Sequence, residues 1–167
     1  MKKSGLPNPL GAARVSVMLA NELAEAGFTY HTSSDMKAFN DMKLKCRGIP
    51  VAPMHYYETA VFTNERAMWT SITNAAGETV GLQAFRCDEI DTNLADWCVT
   101  YMIGVYMRRQ ELMVPTHALP PAGSIAERLT GRLVYHGEIW IDKQIKNRKV
   151  FELFVRLGLI LALIKWR

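Results

Sequence analysis

The feature that most limits how this chain can fold is its last helical stretch, VFELFVRLGLILALIKW, residues 150–166. Its apolar residues fall on more than one face of a helix, and such a helix needs covering on both flanks. Few residues follow it to supply that cover, so the sequence predicts an exposed apolar helix and a chain that self-associates or docks on a partner. The apolar run within it, Leu157 to Ile164, is far shorter than the roughly 20 residues that span a bilayer. No membrane span is expected from it.

The rest of the composition frames that helix as part of one globular domain. The chain has 167 residues, 49% hydrophobic and 22% charged, which suits a single core and argues against disorder. Its net charge of +4 and isoelectric point near 9.0 leave anionic partners open. The basic residues concentrate in two places: Lys37, Lys43, Lys45 and Arg47, and more densely Lys143, Lys146, Arg148 and Lys149. A solvated face is the plain reading of the first cluster, and for the second it stands level with an anion site. Binding to nucleic acid would also want aromatic stacking platforms, and only Trp140 and Phe151 lie near the second cluster, so nucleic acid is not expected. Cys46, Cys87 and Cys98 form no CxxC and no zinc-like spacing, which reads as reduced thiols of a cytoplasmic protein without metal. The first residues carry two lysines but no apolar stretch before Pro7 and Pro9, unlike a secretory signal.

Local patterns predict the elements. Val15, Met18, Leu19, Leu23 and Ala26 recur at helical spacing up to Gly27, and a second helix is expected from Asp35 to about Lys45, capped by Ser34. IPVAPMHYYET, with two prolines, reads as an irregular connection. MWTSIT and TVGLQAFR flank NAAGE, whose Asn74 and Gly77 supply the turn of a β-hairpin. Residues 94–107 fit either a buried strand or a helix, and the spacing of Ala95, Cys98, Met102 and Val105 favours the helix. MVPTHALPPAGS is a long connection. GRLVYHGEIWID, residues 131–142, is rich in strand formers, and residues 147–166 are helical. The order predicts an α+β fold: a helical segment over residues 1–66, then a mixed sheet flanked by helices over 67–167.

The final unit, VYHGEIWIDKQIKNRKVFELFVRLGLILAL, together with the hairpin, resembles the acyl-CoA-binding core of the GNAT acyltransferase superfamily. The resemblance runs over residues 67–167. It implies that Ile141 ends the strand before the cofactor turn, that Lys146 takes the basic position of that turn, and that Asn147, Arg148, Lys149 and Val150 open the helix beneath the pyrophosphate of acetyl-CoA or another acyl-CoA. Backbone N–H groups and the positive end of a helix dipole bind phosphate in this way. The small residues of the superfamily's turn fall here on Lys149 and Phe151, where side chains intrude on the space that close phosphate approach needs. Three readings stay open: Lys146, Arg148 and Lys149 hold phosphate by charge, the site is lost, or the basic run only decorates the helix start. The superfamily continues past this helix into a second half, so the resemblance also implies a fold incomplete at its C-terminus.

Acyl transfer to an amine needs a base near the amine. His136 and Glu138, two apart on a strand, are expected on one face and are the candidate catalytic pair. Their bland alternative is a half-buried ring and an ordinary ion pair. Tyr135 and Tyr101 are candidates for protonating the thiolate, and Asp88, Glu89 and Asp91 for binding a cationic substrate or, more plainly, for a solvated turn. Two functions follow: transfer of an acyl group to a small-molecule amine, or a non-catalytic interaction module using its last helix.

Overall fold

The computed structural model describes residues 8–58, 62–108 and 119–167. The elements run α1 (Pro9–Glu25), β1 (Thr29–Ser33), α2 (Met36–Arg47), a 3-10 turn (Pro53–His55), β2 (Ala67–Thr73), β3 (Thr79–Ile90), α3 (Leu94–Trp97), a π-helical turn (Cys98–Met102), α4 (Ile103–Met107), a second 3-10 turn (Ile125–Arg128), β4 (Gly131–Ile141) and α5 (Arg148–Lys165). The fold is α+β, as expected. Its sheet is antiparallel in the order β1-β2-β3-β4 rather than mixed. The sheet also includes β1, whose aromatic and β-branched residues Thr29, Tyr30 and Thr32 form a strand within residues 1–66, which the sequence reading assigns to helices. Of the proline-rich connection, residues 113–118 lie outside the described residues.

Contacts divide the chain into two units that share the strands: residues up to Ser33 with Thr70–Gln83 and Ile139–Arg167, and Ser34–Trp69 with Ala84–Glu138. Each draws on both sides of residue 66.

In the first unit, α1 supplies what the last helix lacked. Asn8 caps α1 by accepting from the Leu10 N–H at 3.1 Å, with Pro9 in the first turn, where a missing N–H costs nothing. The helix then lays Leu19 and Leu23 against Val150, Leu153, Phe154 and Leu157 of α5, over Ile72 and Val80 of the sheet. Burying each such side chain is worth about 1.5–3 kcal/mol. Phe154 is fully buried, edge-on to Tyr30 with ring centroids 6.0 Å apart. Its carbonyl also accepts from Gln83 Nε2 at 2.8 Å, tying helix to strand. Cover for α5 therefore comes from the start of the chain and the sheet, while Phe151, Leu159 and Ile164 remain partly exposed. No described helix is long and apolar enough to cross a membrane.

In the second unit, α2 is capped by Asp35 rather than Ser34, because the Asp35 carboxylate accepts from the Ala38 N–H at 3.0 Å. Met36, Phe39, Asn40 and Lys43, at helical spacing, form its buried face. The hairpin turn, which belongs to the first unit, closes as expected: the Gly77 N–H donates to the Asn74 carbonyl at 2.9 Å, and Gly77 adopts φ +77°, a conformation open to glycine at no steric cost. Around Met54, the residues Ile90, Trp97, Cys98, Met102 and Val105 make a second apolar cluster. Residues 94–107 are helical, with the π-helical turn in the middle.

Candidate functional site

The site begins with an irregularity in β4. His136 lies flat on Phe85 of β3, ring centroids 4.2 Å apart, and further along the Asp142 N–H donates to the Val80 carbonyl at 2.7 Å. Five steps of β3 separate Phe85 from Val80, yet six steps of chain separate His136 from Asp142. One extra residue is therefore accommodated on the β4 side, which is a β-bulge. It sits at Gly137-Glu138, because Glu138 has φ +56° and is the one described non-glycine residue with positive φ. A glutamate held there signals strain that the surroundings impose.

The strain is matched by what the side chain reaches. Glu138 pairs with Lys43 of α2, and both side chains are almost wholly removed from solvent, at 7% and 6% exposure for Lys43 and Glu138. The other carboxylate oxygen accepts from the Ala52 N–H. The bulge thus separates the two residues expected on one face: His136 stacks on Phe85, while Glu138 turns to Lys43 and the segment before the 3-10 turn. Lys43 belongs to the cluster read as a solvated face, and it is buried instead. The available signal was its spacing, seven residues from Met36 and four from Phe39, on the buried stripe of α2.

His55 is packed behind this pair. Its ring lies 5.3 Å from that of Tyr135, and its Nε2 has no hydrogen-bond partner among the described residues. Burial, then the charges of Arg86, His136 and Lys43, hold its pKa at about 3. Gly137 makes the close packing possible, since a Cβ there would stand 2.9 Å from His55 Cε1 and 3.3 Å from a Tyr135 ring carbon. Gly137→Ala is expected to cost about 1–3 kcal/mol by overpacking, read as a lower urea midpoint with an unchanged slope.

Arg86 is fully buried and donates to Asp88 at 2.7 and 2.8 Å, to the Met54 carbonyl at 2.9 Å and to the Tyr101 hydroxyl at 2.9 Å. Burial works against its charge, and Asp88 and Tyr101 more than offset that, so its pKa stands above the ordinary value. Asp88 is therefore no solvated turn residue. It lies within β3 and is paired with both Arg86 and Arg66.

Beside the Lys43–Glu138 pair opens a recess of about 550 Å³. Its walls are Ile49, Pro50, Val51, Ala52, Pro53 and Tyr106, and its charged lining residues are Lys43 and Glu138. The Tyr106 hydroxyl is held above its ordinary pKa by burial and then by Glu138, so it stays a proton donor at neutral pH. The connection IPVAPMHYYET, irregular as expected, thus supplies the wall from Ile49 to Pro53.

The expected cofactor residues lie in the other unit. Ile141 packs at the edge of the α1–α5 core. Asn147 caps α5, its side chain accepting from the Lys149 N–H at 3.0 Å and its carbonyl from the Val150 N–H at 3.0 Å. Lys146 is exposed, Arg148 bonds Glu152 at 3.0 Å, and Lys149 meets Glu22 of α1 at 2.8 Å. Val150 faces the core. These residues fit a phosphate by charge, because their exposed ion pairs are weak and exchange readily. They fit it less by backbone approach, since Asn147 already satisfies two first-turn N–H groups.

No family model, curated protein or solved structure matches the chain.

Proposed function

We propose that the chain is related to GNAT acyltransferases and transfers an acyl group from acyl-CoA to an amine in the cytoplasm. The observation that supports this reading is the strand-turn-helix end of the chain: β4 ends at Ile141, and a short basic turn leads into the capped helix α5, which packs on the sheet. Acyl-CoA supplies an activated thioester. This chain's own part is to take the proton from the attacking amine, for which Glu138 is the candidate base, its carboxylate held in place by Lys43 and the Ala52 N–H. His136, stacked on Phe85, positions the strand rather than sharing that proton. The exposed cations Lys146, Arg148 and Lys149 are the candidates for the phosphates.

The interaction-module reading has less to rest on, because α1 and the sheet already cover two sides of α5.

Calorimetric titration of the intact chain with coenzyme A and acetyl-CoA tests the proposal. Micromolar binding is expected, about −8 kcal/mol. Replacing Lys146, Arg148 and Lys149 together by Gln is expected to weaken it at least tenfold, since the three charges are what would meet the phosphates. A folded wild-type chain that binds neither compound, or a triple variant of unchanged affinity, would overturn it.

A further inference from the structure

We propose that the recess beside Lys43 and Glu138 binds a free α-amino acid with an apolar side chain, its carboxylate meeting Lys43 and its ammonium meeting Glu138. The inference stands on the recess alone and does not depend on acyl transfer. If both hold, the nitrogen of the amino acid is the acceptor.

Three observations carry it. The recess has about 550 Å³ of space, within the roughly 300–1,000 Å³ of small-molecule sites. Its two charged lining residues are opposite in sign and nearly buried, so the empty site is electrically balanced. An amine alone would leave it with an excess positive charge in a poorly solvated place, and a carboxylate alone with an excess negative one; both are costly. A ligand carrying one charge of each sign keeps the balance while making two charge-assisted contacts. Both side chains have capacity for it. Among the described residues the Lys43 ammonium donates to Glu138 and has three donors in all, while each Glu138 oxygen has a second lone pair.

The walls then choose the side chain. Pro50 and Pro53 offer no N–H, the Ala52 N–H is taken by Glu138, and Ile49 is 45% exposed. Apart from the Tyr106 hydroxyl, these walls offer a polar side chain little to replace the hydrogen bonds it loses to water. An aliphatic or aromatic one would cover Ile49. The left-handed backbone at Glu138 adds a reason for the strain, since the bulge is what brings this carboxylate to the recess.

Calorimetry at pH 7 with the intact chain compares L-leucine with 3-methylbutylamine, which lacks the carboxylate, and 4-methylpentanoate, which lacks the amine. L-Leucine is expected to bind at least tenfold more tightly than either, and at least tenfold more tightly than L-serine. Glu138→Gln leaves a net positive site and should shift the preference to 4-methylpentanoate, which a merely structural role for Glu138 would not do. The neutral pair Lys43→Met with Glu138→Gln keeps the fold testable if the single variant is unstable, and should lose L-leucine binding. Equal or absent binding of the three probes by wild type, or L-leucine affinity unchanged in the double variant, overturns the proposal. Because coenzyme A binding is measured separately, failure here is distinguishable from failure of the acyltransfer reading.

Discussion

Lys43→Met is expected to destabilise the protein by about 3–5 kcal/mol, because it leaves the Glu138 carboxylate buried without its counter-charge. That is a large part of the roughly 5–15 kcal/mol that holds an ordinary domain together. The measurement is urea unfolding followed by circular dichroism, with the midpoint falling and the slope unchanged. Adding Glu138→Gln should restore most of the loss. The amide still accepts from the Ala52 N–H and leaves no charge to compensate, and a neutral pair of similar size is often as stable as a buried ion pair. The two substitutions should therefore be strongly non-additive, as expected of groups in direct contact. A Lys43→Met variant within about 1 kcal/mol of wild type would mean that Glu138 swings to water when its partner goes, and the burial of this pair would lose its significance.

Such a pair is hard to read from sequence because its partners come from α2 and β4, 95 residues apart. The hairpin was legible, since Asn74 and Gly77 carry their turn chemistry locally. So was the strand-helix end of the chain, through its β-branched and apolar periodicity. What covers α5 was not: Leu19 and Leu23 meet it from the other end of the chain, and a local pattern says only that a face is apolar, never what lies on it. The bulge left one trace. A glycine inside the strand pattern, Gly137, signals a bulge or a close approach, and here it marks both. A bulge at Gly137 breaks the alternation by which His136 and Glu138 would share one face. Lys43 left a trace in its spacing on the stripe of Met36 and Phe39, but Arg86 and Asp88 leave none, because a charged residue in a strand pattern reads as solvent-facing until its partner is known.

The buried imidazole of His55 predicts a second large effect, this time through pH. In the folded chain its pKa lies at about 3, chiefly through burial and then through Arg86, His136 and Lys43, whereas an unfolded histidine titrates near 6.5. Between those values the unfolded chain holds a proton that the folded chain does not. Stability therefore falls as pH drops below about 6.5, with a slope of up to about 1.4 kcal/mol per pH unit, and levels off as pH passes below the folded value. His136, also lowered by burial, adds to the loss in the same direction. The full effect is of the order of several kcal/mol, enough to unfold a marginal domain under mild acid. Urea midpoints taken in steps from pH 7.5 down to 4 read it directly. His55→Leu removes the titrating ring together with an Nε2 that has no partner among the described residues, so this variant should show a flatter acid limb and lose little stability at pH 7. An acid limb as steep in His55→Leu as in wild type would place the proton uptake on other groups and refute the assignment.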